Sequence, residues 1–78
     1  MIKGEKHHRN ERAISTLGSN IRKYRVEKGL TIAQLANMIG VDYSQIGRME
    51  RGVVNANVSI IFDIADALGV SPGSLLDG

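Results

Sequence analysis

Residues 31–52, TIAQLANMIGVDYSQIGRMERG, carry two amphipathic patterns separated by a glycine. In the first, Ile32, Leu35, Ala36 and Ile39 recur at the three- and four-residue steps of one helix face. Thr31 stands at the N-cap with Gln34 three residues on, the spacing at which each side chain satisfies the other residue's unpaired backbone N–H. Ala36, small and central on that face, lets another helix approach closely. Gly40 supplies the left-handed conformation that stops a helix, Val41 is an apolar plug, and Asp42 offers a fresh N-cap. The second pattern predicts a helix over 43–51 that ends at Gly52. Ile46, Met49 and Val53 fall on one side and are expected to face the other helices, while Tyr43, Ser44, Gly47, Arg48 and Arg51 form a single outward stripe. The stretch therefore reads as two short helices hinged at Gly40, the second presenting a phenol, a hydroxyl and two guanidiniums.

Upstream, Ala13, Ile14, Leu17, Ile21, Tyr24 and Val26 recur mostly at helical steps and predict a helix over 13–28, closed by Gly29. Gly18 weakens that helix locally. Arg22 neighbours Ile21 and can reach solvent or phosphate, whereas Arg25, four residues beyond Ile21, leans toward the core. Residues 1–12, MIKGEKHHRNER, lack an apolar period and read as a flexible basic arm bearing Lys3, Lys6, Arg9 and Arg12. Adjacent His7 and His8 would point about 100° apart on a helix, and no cysteine accompanies them, so no metal site is expected. Downstream, 52–57 is a loop and Asn57 caps a helix over 58–68 whose apolar side is Ile60, Ile61, Ile64, Ala65 and Leu68, with Asp63 and Asp66 outside. Ser71 and Pro72 start a last short helix containing Leu75 and Leu76. The class is all-α: about five short helices in one domain over 13–78, with no strand pattern and no repeat.

The composition narrows the function. The 78 residues make one domain at most, and with no cysteine neither a disulfide framework nor a thiolate zinc site can form. Apolar runs stop well short of the roughly 20 residues that span a bilayer, and the start lacks a hydrophobic signal core, so a cytoplasmic protein is expected. No nucleophile with its base, no metal cluster and no phosphate loop can be assembled, which argues against an enzyme and against a cofactor. Net charge is only +2, yet residues 1–28 hold eight Lys and Arg against three Glu, residues 29–56 balance, and residues 57–78 hold three Asp and no base. One end can meet polyanions, and the arm extends that end.

The blocks Leu30–Val41 (LTIAQLANMIGV), Ile46–Gly52 (IGRMERG) and Ile64–Leu76 (IADALGVSPGSLL) together make the chain resemble the Cro/C1-type (XRE family) helix-turn-helix domains. The likeness covers residues 14–77 and implies a lambda-repressor-like bundle with its motif at 31–52 and its recognition helix at 43–51. It implies base-reading positions at Tyr43, Ser44 and Arg48. Their chemistry agrees: Arg48 can pair bidentately with guanine, Ser44 can bond either kind of base, and Tyr43 can pack on a thymine methyl. Backbone contacts are implied at Arg22, Thr31, Gly47, Arg51 and Asn55, and a structural ion pair between Arg25 and Glu50. A dimer contact is implied around Val70, Pro72 and Leu75. The chain departs from the pattern in three places: Ile32 replaces a common glutamine, Gly47 a common serine, and the loop 53–57 lacks the usual bases.

The expected function is a sequence-specific transcriptional regulator that reads double-stranded DNA, as a homodimer on an inverted repeat. The alternative is a protein-interaction module, such as an antitoxin or a regulator's partner, with little role on DNA.

Overall fold

A computed structural model describes residues 9–78 of the chain. Its first helix, α1 (Glu11–Glu27), starts where the Asn10 side chain accepts a hydrogen bond from the Ala13 amide at 2.9 Å, with Glu11 placed at the positive end of the helix dipole. The helix therefore begins two residues earlier than the apolar period indicates, because a polar cap and not an apolar face sets its start. Arg9 is already engaged, donating to the Val53 carbonyl at 3.0 Å and pairing with Glu11. Residues 9–12, expected within the arm, thus engage the domain, and Arg12 lies within α1. Lys3, Lys6, His7 and His8 lie outside the described residues.

The hinged pair follows as α2 (Ile32–Ile39) and α3 (Tyr43–Glu50). Thr31 and Gln34 form the reciprocal cap, with N–H···O distances of 2.8 and 3.0 Å. Gly40 takes φ 73°, which a side chain would resist, and the Val41 amide returns to the Ala36 carbonyl to close α2. Asp42 occupies the N-cap position of α3, but its side chain makes no cap hydrogen bond. The remaining helices are α4 (Val58–Leu68) and α5 (Pro72–Leu76), capped by Asn57 and Ser71.

The α2–α3 pair packs through α3 on α1 and through α2 on α4, while α5 closes against α1 and α4. The core between them is aliphatic: Ile21, Leu35, Ile46, Met49, Ile64 and Leu75 are sealed from solvent, joined by Ile14, Leu17, Ala36, Ile60, Ala65 and Leu68. Three apolar residues that the period assigns to the core face are instead outside, Ala13 in the first turn of α1 among them. Val26 is half exposed in the last turn of α1, and Val53 is half exposed because the chain turns at Gly52, the Val53 amide bonding back to the Arg48 carbonyl. Asn20 reaches from α1 to the end of α5 and donates to the Leu75 and Asp77 carbonyls, both at 2.9 Å. These acceptors have no partner within so short a helix, so one amide fastens it.

No helix among the described residues is long and apolar enough to cross a membrane.

Candidate nucleic-acid interface

What positions α3 is a set of contacts on its inner side. Ile46 and Met49 are fully buried, and at its end Glu50 meets Arg25 of α1. The pair is bidentate, Nε to Oε2 at 2.6 Å and Nη2 to Oε1 at 2.9 Å, and Arg25 Nη1 also donates to the Leu30 carbonyl at 2.8 Å. One guanidinium therefore ties the end of α3 to the segment leading into α2. The side chains retain only 11% and 5% of their exposure, and the hydrogen bonds that Arg25 donates to Glu50 hold its pKa above the ordinary value. Arg25 stays cationic wherever the protein is folded.

On the outer side Tyr43, Ser44 and Arg48 are exposed together on one face, Tyr43 by 62%. Among the described residues Arg48, Arg22 and Arg51 form no ion pair. Thr31 stands at the start of α2, Arg51 caps the end of α3, Asn55 is exposed in the loop to α4, and Arg22 is exposed on α1.

Two positions differ from expectation. Gly47, in the middle of the outward stripe, is buried: a Cβ built there would lie 3.2 Å from Arg51 Nη1, so the Arg51 side chain lies across it. Leu75, expected at a dimer contact, is fully buried in the core and offers no surface; Val70 and Pro72 remain partly accessible. Val58 and Phe62 on α4 and Leu76 on α5 face solvent, and Leu76 lines a small groove with Leu17, Ala56 and Ile61.

Sequence reasoning also passed over Gly18. It is buried where α1 crosses α3, and a Cβ there would run into the Met49 and Glu50 carbonyls. That glycine is required by the crossing, and its only sequence signal was an apparent defect in an otherwise good helix.

The helix-turn-helix family HTH_3 matches residues 21–75, which takes in α2, the Gly40 hinge and α3 with the helices that hold them. The chain belongs to this family. Its HTH_3 relatives include the transcriptional regulator y4dJ of Sinorhizobium fredii, 38% identical over 55 residues that cover 70% of this chain and 71% of y4dJ. SinR of Bacillus subtilis is 34% identical over 62 residues, covering 78% of this chain and 56% of SinR. Among solved structures, a hypothetical transcription factor from Neisseria superposes with a TM-score of 0.80 at 35% identity, covering 87% of this chain and 79% of the other. A SinR structure in complex with DNA superposes with a TM-score of 0.75 at 34% identity, covering 78% and 98%. The curated relatives are named as HTH-type transcriptional regulators, y4dJ as an uncharacterized one, and SinR is the one of these seen in complex with DNA.

Gly47 gives a test of local energetics. The atom that would meet a new methyl is the mobile tip of Arg51, not backbone, so Gly47→Ala should raise stability by up to about 1 kcal/mol through helix propensity. A thermal melt reads it directly; a clear fall in Tm would mean that Arg51 is held far more rigidly than its exposure suggests.

Proposed function

We propose that this chain is a sequence-specific transcriptional regulator that inserts α3 into the major groove and binds an inverted repeat as a homodimer. The observation that carries the reading is the division of α3 into a side held by Ile46, Met49 and the Arg25–Glu50 pair and a side on which Tyr43, Ser44 and Arg48 stand exposed together. A rigid helix with a bidentate donor and a hydroxyl on its free face matches the donor and acceptor pattern of base edges. The capped start of α2 and the cation Arg22 are suited to phosphates, which position without reading sequence. Homodimerisation follows from reach, since one short helix spans only a few base pairs. The exposed apolar residues Val58, Phe62 and Leu76 are the surface available for it.

Binding-site selection from a random duplex pool tests the reading. Arg48→Ala should relax preference at one base pair per half-site, with a loss of about 1–3 kcal/mol of discrimination there. Arg22→Ala should instead weaken all sequences alike and reduce the salt dependence of binding. A wild-type chain that enriches no sequence and binds random duplex poorly even at low salt would instead favour the protein-interaction alternative.

A further inference from the structure

The outward stripe of α3 contains a glycine where a side chain would be expected, and the structure shows what occupies its place. Gly47 is flanked on the helix surface by Tyr43, Ser44 and Arg48, one turn and one step away, and by Arg51 one turn on. Its neighbours Ser44 and Arg48 are exposed, yet Gly47 is buried, and beyond its own helix backbone the close atom is Arg51 Nη1. Helical side chains lean toward the N-terminus, so the long Arg51 side chain runs back over position 47. Glu50, the acid next to Arg51 in sequence, is already committed to Arg25, leaving the Arg51 guanidinium with no described carboxylate.

The geometry points to Arg51 as a second base-reading residue, seated by Gly47 and directed at a guanine O6 and N7 in the major groove. This rests on the reading of α3 as the recognition helix. Any residue with a Cβ at position 47 would push the guanidinium outward from the helix axis, toward phosphates on the groove wall. Without that Cβ one nitrogen of the fork rests over position 47, whose neighbours on the helix surface are Tyr43, Ser44 and Arg48. Two guanidiniums three residues apart then face neighbouring base pairs, each with the five-donor geometry that fits guanine bidentately. A glycine in the middle of an eight-residue helix weakens the helix, and seating Arg51 is what it accomplishes here.

Binding-site selection with the full chain, using a random duplex pool, separates the possibilities. The wild type should enrich two guanine-preferring positions in each half-site. Arg51→Ala should erase one of them, a roughly 5- to 150-fold loss of preference for that base, while the position lost in Arg48→Ala is kept. Arg51→Lys, which retains the charge but not the fork, should behave like Arg51→Ala in preference while keeping the salt dependence of the wild type. Gly47→Ala, with a Tm no lower than the wild type, should blur the same position as Arg51→Ala. An unchanged preference profile in Arg51→Ala, with affinity lowered equally for all sequences, would make Arg51 a phosphate contact and overturn the inference alone. Failure of the wild type to enrich any sequence would overturn the reading of α3 together with it.

Discussion

Glu50→Ala is expected to lower stability by about 3 kcal/mol, the lower end of the cost of removing one partner from a buried ion pair, because this pair is only partly buried. In a domain of this size that is a fall in Tm of roughly 12 °C or more. The reason is asymmetric desolvation. Arg25 is largely shielded from water and gives two of its donors to Glu50, so truncating the acid leaves a partly buried cation with only the Leu30 carbonyl. Burial of the neutral form offers no escape, because guanidinium does not lose its proton in proteins. The loss should appear first in folding and only then in DNA recognition, since Glu50 lies on the inner side of α3. A double-mutant cycle separates the pair from its parts: Arg25→Met with Glu50→Leu should recover much of what Glu50→Ala loses, because both charges are then gone. An unchanged melt for Glu50→Ala would remove the pair from the structural account of α3.

The legible and illegible parts of this fold divide along a physical line. Caps and periods are local, so Thr31 with Gln34, Gly40, Asn57 and Ser71 could be read directly, and so could the inner face of α3 at Ile46 and Met49. Val53 fits the same three- and four-residue steps but lies beyond the glycine that turns the chain, and periodicity has no knowledge of where a helix stops. Leu75 was placed at a dimer contact by the family resemblance; only the docking of α5 on α1 and α4 shows that it completes the core. Asn20 carries no pattern at all, since its partners are carbonyls 55 and 57 residues away. The Arg25–Glu50 pair was legible through the family resemblance and not through spacing. The burial of Gly47 depends on a rotamer of Arg51, which sequence does not specify.

Gly18→Ala should be the most damaging of the conservative changes in the helices. Alanine is normally favoured over glycine inside a helix by about 1 kcal/mol, so the sign of the result is informative. Here the new methyl would penetrate the Met49 carbonyl and sit 2.9 Å from the Glu50 carbonyl, both backbone atoms in the last turn of α3. Neither can rotate away, and relief requires α1 and α3 to separate along their crossing. Overpacking typically costs about 1–3 kcal/mol, occasionally more, and contacts with fixed backbone belong at the upper end. A net loss of about 2 kcal/mol or more, some 10 °C in Tm, is therefore expected after the propensity gain. The displacement would also act on function, because the turn that moves carries Glu50 and its bonds to Arg25, which fix the angle of α3. DNA affinity of the folded protein should fall in Gly18→Ala but not through any single base position. Gly47→Ala is the matched control, one glycine against backbone and one against a mobile side-chain tip, with opposite signs expected in the same melt. If Gly18→Ala melts at or above the wild-type temperature, α1 and α3 are not in the close contact on which the placement of α3 depends.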